Sequence, residues 1–361
     1  MSPLVTVICP TFNRGPALAS TLRSVQAQTV TDWELLVVSD GSTDGTDDVV
    51  RDLGRSDPRI RLHRTRRYGH PSGPCNEGAA LAAAPVHAYL AHDDHWRSDH
   101  LEVLLGALDR DSALAYGRAV REDGAGQVLG TTEWFSQLWH PEVQAVNVLF
   151  EPVRALWWAD AVEAVGGWRE TEEGLEDWDL WVRLTEAGHR FTPVADVTAR
   201  IYESPTTRKH QLACPHDVPL ATFPGAREAR AAVRTLTDRR LTRRFLDAYR
   251  EDTVEWYLGL LETGGFAVPD GWDVRAEELE RAIGHVVAQE VRVWESLRVT
   301  RTPLGWRVGS VVATQTAAHA ERIARLVAHR MPRLSACLEE ALERPLDAAA
   351  APPPEREVAA P

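Results

Sequence analysis

Two adjacent carboxylates, Asp93 and Asp94, stand just behind a short apolar run, Pro85-Val86-His87-Ala88-Tyr89-Leu90. Such a run reads as a buried strand, and Arg97-Ser98-Asp99-His100-Leu101 after the carboxylates opens a helix running to Leu108. In open α/β sheets, ligands bind beyond the carboxyl ends of the strands. Mg²⁺ takes one or two carboxylates and completes its shell with substrate phosphates and water. The pattern therefore points to Asp94 as the ligand of a metal bound to a diphosphate, with Asp93 touching the same substrate. The plainer alternative is an Asp-rich turn that caps a helix.

Carboxylates at a strand end need a sheet to hold them, and the chain before residue 93 supplies one. Residues 4–9 are a continuous apolar, β-branched run, the mark of a strand buried on both faces. The turn Pro10-Thr11-Phe12-Asn13-Arg14-Gly15 ends it, and residues 17–28 show helical spacing at Leu18, Leu22 and Val25. Residues 33–39 form a second buried strand running into Asp40-Gly41-Ser42-Thr43-Asp44-Gly45-Thr46, a turn-rich cap for the next helix. Residues 59–63 read as a third strand and 76–84 as an Ala-rich helix. This alternation predicts a largely parallel sheet with helices on both faces. Asp40, Asp93 and the turn from Pro10 to Arg14 then converge on one edge. That is a nucleotide site by geometry, although neither the Gly-x-Gly-x-x-Gly fingerprint nor a Walker phosphate loop is present.

A second chemical centre lies in Gly166-Gly167-Trp168-Arg169 followed by Glu172 to Leu184. A helix starting near Glu176 carries Leu180 and Leu184 on one face and Asp177 in its first turn, where the helix dipole stabilises a carboxylate. Ordinary N-terminal capping accounts for Glu172 and Glu173.

Three segments, Val-Ile-Cys-Pro-Thr-Phe-Asn-Arg, Trp-Glu-Leu-Leu-Val-Val-Ser-Asp-Gly-Ser-Thr-Asp-Gly-Thr and Tyr-Leu-Ala-His-Asp-Asp-His-Trp, together resemble the family 2 glycosyltransferases with the GT-A fold. The resemblance covers roughly residues 4–210. It implies an inverting transferase that moves a sugar from a nucleoside diphosphate, UDP by default, to an acceptor hydroxyl or amine with Mg²⁺ or Mn²⁺. It implies that Pro10 and Thr11 contact the nucleobase, that Asn13 and Arg14 belong to the same donor turn, and that Asp40 bonds the base or its ribose. Asp93 and Asp94 match the family's metal-and-nucleotide carboxylates, with Asp94 the metal ligand. The motif departs from Asp-x-Asp, because Ala91 stands two before Asp93. Asn76 matches a donor-site Asn whose family neighbour is often Arg; here that neighbour is Cys75, which leaves His70, Arg66 and Arg67 as cations for the diphosphate. Gly-Gly-Trp followed by Glu-Asp-Trp-Asp-Leu-Trp matches the family's acceptor-side segment, which makes Asp177 the catalytic base. Glu176 positions the acceptor or the helix, and Trp168, Trp178 and Trp157 form an apolar acceptor wall or pack in the core. Arg208 or His210 matches a segment that closes over the donor phosphates.

Composition narrows the classes further. The 361 residues hold 40 Lys plus Arg against 53 Asp plus Glu, net −13, which argues against broad nucleic-acid binding. Four cysteines lie far apart with no Cys-x-x-Cys, as expected in a reducing cytoplasm. No signal peptide or transmembrane helix is expected, which disfavours a processive, polymer-extruding synthase. The expected organisation is a GT-A-like α/β domain over 1–220, a helical C-terminal region over 221–344, and a disordered Ala/Pro-rich tail over 345–361. Peripheral membrane contact at the inner face or a homodimer through the C-terminal helices both stay open, as does the acceptor: a glycan, a lipid-linked sugar, a protein or a small molecule. The Arg-rich stretch over 226–250 reads first as a solvated helix face. Two rival readings are a non-catalytic nucleotide-sugar-binding scaffold and a sugar nucleotidylyltransferase. The second lacks the Gly-rich triphosphate loop it would need after the first strand.

Overall fold

The strands that read as continuous apolar runs are buried along their whole length: β1 (Val5–Thr11) and β2 (Trp33–Asp40) show no exposed position. The computed structural model describes residues 2–170, 175–203, 216–289, 297–310 and 317–350. Glu172, Glu173, Arg208, His210 and Cys214 lie outside the described residues. The chain divides into two compact units, one of Met1–Leu212 with Ala267–Trp272, the other of Ala213–Phe266 with Asp273–Pro361.

The first unit alternates strand and helix as the periodicity predicts. After β1 come α1 (Leu18–Gln26), β2, α2 (Thr46–Ser56), β3 (Ile60–Thr65), α3 (Ser72–Leu81), β4 (Val86–Tyr89), β5 (His95–Trp96) and α4 (His100–Ala107). Then follow β6 (Ser112–Glu122), β7 (Val128–Thr131), α5 (Pro141–Val146), β8 (Ala155–Trp158), α6 (Ala159–Ala164), α7 (Glu176–Glu186) and β9 (Arg190–Tyr202). The sheet order is β3-β2-β1-β4-β8-β6-β9-β5, with β7 paired to β6. From β3 to β4 every pairing is parallel. β8 is antiparallel to both β4 and β6, and β9 is parallel to β6. β6 and β9 therefore run in the direction of β4, and the carboxyl ends of β1, β2, β4 and β9 share one edge. Only β8, β5 and β7 run the other way.

Two element boundaries differ from expectation. The helix α3 starts at Ser72, four residues before the helix expected from residue 76, because Pro74 falls in its first turn, where the missing N–H has no helical partner to lose. Beyond Tyr116, β6 runs six residues further, a length the sequence did not announce, and the chain turns back as β7. Behind the sheet edge, Trp181 packs its ring 5.7 Å from Trp157 and 6.1 Å from Trp168, and Phe150 stacks on Tyr116 at 4.0 Å. Aromatic pairs of this kind contribute about 0.5–1.5 kcal/mol each beyond their buried area.

The second unit contains more than helices. β10 (Val218–Phe223), β12 (Gly305–Ser310) and β11 (Leu297–Thr302) form a three-stranded antiparallel sheet. Its helices are α8 (Ala226–Leu236), α9 (Arg239–Glu262), α10 (Ala276–Gln289), α11 (Ala317–Arg330) and α12 (Pro332–Leu342). The break between α8 and α9 falls at Thr237-Asp238. There the Asp238 carboxylate caps α9 by accepting the N–H groups of Arg240 at 2.9 Å and Leu241 at 3.3 Å. The tail does not begin at 345: Leu346 is buried, and the Asp347 carboxylate accepts the Thr222 N–H at 3.1 Å and its hydroxyl at 2.7 Å. Among the described residues, no helix is long and apolar enough to cross a membrane.

Candidate active site

Three turns at the carboxyl edge of the sheet are stitched together by side chains. Asn13 sits in the left-handed region at φ 48°, which Asn tolerates better than most residues. From there its carbonyl oxygen accepts the Thr43 N–H at 2.9 Å, and its own N–H donates to Ser42 Oγ at 3.2 Å. Thr46 Oγ1 accepts the N–H groups of Arg14 and Gly15, both at 2.8 Å. The turn after β1 is thus fastened to the turn after β2. Asp40, at the end of β2, accepts the N–H groups of Tyr68 at 2.6 Å and Gly69 at 3.1 Å and pairs with Arg67. Arg67 in turn covers the Phe12 ring at 3.6 Å.

These turns enclose a cavity of about 620 Å³. Of the residues singled out in the sequence, Pro10, Thr11, Asn13, Arg14, Asp40, Arg67, His70, Asp93, Asp94 and Glu176 line it. Among the buried polar atoms of the lining residues, Thr11 Oγ1, Arg14 Nε and His70 Nδ1 have no hydrogen-bond partner among the described residues. Such orphans are rare in native structures, and at a cavity they are ready to meet a ligand.

The two central carboxylates have different surroundings. Asp93 Oδ2 lies 2.5 Å from Arg14 Nη2, so its charge has a cation beside it. Asp94 is buried and accepts the Tyr202 N–H at 2.8 Å, a bond that joins β9 to the end of β4. Burial, and then the charge of Asp93, push the Asp94 carboxyl well above the usual carboxylate range; Glu151 and Glu203 add to this, and the Tyr202 N–H opposes it. His92 between them and the β1 turn accepts the Phe12 N–H on Nδ1 at 3.4 Å. Burial lowers its pKa to about 4, against the pull of Asp93, so it is neutral at pH 7.

On the other wall, α7 begins after Leu175, which holds φ 59°. Glu176 faces the cavity, and Asp177 follows it, half-buried. Asp177 Oδ1 accepts the N–H of Trp178 at 2.8 Å. Burial first, then the charge of Glu176, raise its pKa to about 7. A carboxyl group with that value is poised to take a proton near neutral pH.

Several readings need correction. Asn76 does not face the cavity. Its amide clamps the backbone of Trp168 in both directions, Nδ2 donating to the carbonyl at 2.8 Å and Oδ1 accepting the N–H at 2.9 Å. The clamp leaves no room for a side chain at Gly167, where a Cβ would come 2.9 Å from Asn76 Oδ1. Trp168, Trp157 and Trp178 are buried and absent from the cavity wall, and Trp178 Nε1 donates to the Gln144 carbonyl at 2.8 Å. They hold α7 and the Gly-Gly turn in place. Arg66 lies over the Tyr68 ring at 4.6 Å and Arg67 is taken by Asp40, so the guanidinium beside the Asp pair is that of Arg14. Sequence reasoning missed Tyr89, Glu151 and Tyr202 on the wall. Glu151 is held at about 2: burial would raise it, but Arg154 and Arg121 outweigh burial. Tyr202 meets Asp94 across 108 residues, and Glu151 meets Arg121 across 30, so no local pattern ties either to the site.

The chain resembles several known proteins. Residues 6–154 match the family model described as Glycosyl transferase family 2. An uncharacterised protein, y4gI of Sinorhizobium fredii, is 30% identical over 190 residues, covering 51% of this chain and 20% of that one. The GalNAc(5)-diNAcBac-PP-undecaprenol β-1,3-glucosyltransferase of Campylobacter jejuni is 33% identical over 121 residues, covering 33% of this chain and 39% of that one. The chain thus matches well under half the length of either relative. Among solved structures, TarS 1–349 of S. aureus in complex with UDP-GlcNAc overlays with a TM-score of 0.49 at 17% identity, covering 65% of this chain and 67% of that one.

Proposed function

Since the chain belongs to the family 2 glycosyltransferases through residues 6–154, we propose that it transfers a sugar from a nucleoside diphosphate, UDP by default, to an acceptor hydroxyl or amine with inversion at the anomeric carbon. The observation that carries this reading is the single cavity that joins the turns after β1, β2 and β4 to the first turn of α7. In it Thr11 and His70 offer polar atoms with no partner among the described residues, and Asp93, Asp94 and Glu176 offer carboxylates.

The donor set fits a hard divalent cation. Asp94 is crowded by the charges of Asp93, Glu151 and Glu203, and a cation would relieve the repulsion that raises its pKa. Among the described residues, no group of three or more His, Cys, Asp or Glu side chains could hold a metal. Asp94 with Asp93 would supply one or two carboxylates, and phosphate and water the other positions, as Mg²⁺ and Mn²⁺ accept. Once bound, the cation would offset charge on the departing diphosphate.

The remaining work falls to the chain itself. Pro10 and Thr11 border the nucleotide end of the cavity. Asp40 acts through the loop it holds, 67–70, which brings His70 to the wall. Arg14, fixed at its backbone by Thr46, is the cation nearest the Asp pair and the one to meet a phosphate. Asp177 accepts the acceptor proton as the nucleophile attacks the face opposite the nucleotide, and Glu176 orients the acceptor. A calorimetric screen of UDP-, GDP- and dTDP-sugars with and without Mn²⁺ tests the donor half. One donor class should bind in a metal-dependent manner and lose binding in Asp94→Ala. Folded protein that binds none of them would favour a scaffold role with no nucleotide-sugar chemistry.

A further inference from the structure

The second unit carries a run of arginines that, unlike those of residues 51–67, mostly lack an ion-pair partner among the described residues. Residues 226–244 hold seven arginines against two acids, Glu228 and Asp238, in a protein of net charge −13. Both acids are spent on helix starts. Asp238 caps α9, and the Glu228 carboxylate folds back on Gly225 at the start of α8, where a Cβ would meet it at 2.2 Å. Arg244 pairs with Glu340 at 2.7 Å. Arg227, Arg230, Arg234, Arg239, Arg240 and Arg243 are exposed and form no ion pair among the described residues.

The arginines of α8 are also ordered. Arg227, Arg230 and Arg234 recur at helical spacing on one face, while Ala229, Ala232 and Leu236 are buried on the opposite face. The tip of the β11–β12 hairpin lies beside the start of this helix. Gly305 is so close to the end of β10 that a Cβ on it would sit 2.4 Å from the Phe223 carbonyl, three residues before α8. That tip presents Pro303 and Leu304 to solvent, and Leu304 is 83% exposed, the most exposed large apolar side chain of the described residues.

We propose that the arginine stripe of α8, with the Leu304 tip that lies beside the start of that helix, docks the second unit onto an anionic lipid surface. A basic face with an adjacent apolar side chain is what interfacial binding uses: charge draws the protein to acidic headgroups, and the apolar group enters the headgroup boundary. A nucleic acid would use the arginines but would leave Leu304 without a role. The proposal does not rest on the transferase reading, because it concerns the second unit alone and its test uses neither donor nor acceptor.

The test is co-sedimentation of the full chain with vesicles of phosphatidylcholine alone and of phosphatidylcholine mixed with phosphatidylglycerol. Binding is expected only to the acidic vesicles and should fade as salt screens the charges. The triple variant Arg227→Gln/Arg230→Gln/Arg234→Gln should bind on the order of 100-fold more weakly. Leu304→Ser should lose on the order of 10-fold at unchanged charge. These side chains are exposed, so an unchanged thermal midpoint in each variant verifies the fold. Equal binding to both vesicle types, binding to neither, or insensitivity to the triple variant would overturn the proposal. So would tight binding to a single-stranded oligonucleotide that Leu304→Ser leaves intact while acidic vesicles fail to bind.

Discussion

Two pairs of carboxylates around the cavity treat the same side chain in opposite ways. In the first pair, Asp40 at the end of β2 holds Arg67 and two N–H groups, and Asp93 after β4 faces Arg14. In the second pair, Asp94, next to Asp93, and Asp177, next to the lining Glu176 on α7, each accept one backbone N–H, and neither has an arginine partner among the described residues. The consequence shows in their acidity: burial and neighbouring carboxylates push both Asp94 and Asp177 upward. A carboxylate with a guanidinium beside it fastens a loop. A carboxylate buried among like charges is left to take a cation or a proton. On the proposed function, the first pair builds scaffold for a ligand and the second carries the groups whose charge changes.

If that contrast is right, Asp177→Asn has the largest effect. It should lower kcat on the order of 10³-fold while the donor Kd measured by calorimetry stays put. Asp94→Ala should act on binding instead, weakening metal-dependent donor affinity on the order of 100-fold, the upper end of what disturbing a metal site does. Both losses appearing in both measurements, to equal degree, would erase the distinction between a donor-side and a base carboxylate. Asn76→Ala should behave as neither. It leaves the Trp168 N–H and carbonyl without their partners, so denaturant unfolding should show a loss of about 2 kcal/mol. Its donor affinity should remain, which separates a clamp from a ligand.

The smallest effect concerns stability against pH. The folded Asp177 keeps its proton up to about pH 7, whereas the unfolded one releases it near the ordinary value of 3.8. Between those values the folded state binds more protons, so this residue makes stability fall as pH rises. Asp177→Asn removes that fall, and its denaturant midpoint should gain on the wild type when measured above pH 7 and not below pH 4. Glu151 has the opposite sign: held near 2, it contributes stability above its ordinary value of 4.5 that is lost as pH falls toward 2.

What was legible beforehand follows from the reach of local patterns. The strand ends at Thr11 and Asp40, the Asp93-Asp94 pair and the helix from Glu176 all announce themselves within a few residues, through apolar runs, turn formers and capping. The clamp from Asn76 to Trp168 spans 92 residues and the bond from Tyr202 to Asp94 spans 108, and neither end of either pair carries a spacing that names the other. That is why Asn76 read as a ligand and Tyr202 was passed over. The β11–β12 hairpin is a different case. Leu297 and Val299 alternate with the exposed Arg298 and Thr300 and lead to Pro303-Leu304-Gly305, a readable strand-and-turn pattern set among helices.

The central claim is that the raised carboxyl of Asp177 is the proton acceptor, and the pH dependence of kcat/KM tests it most directly. The rate should fall about tenfold per pH unit below an apparent pKa near 7, because only the ionised carboxylate can take the proton. A profile that stays flat from pH 5 to pH 8 in wild-type protein, with donor binding intact throughout, would contradict it.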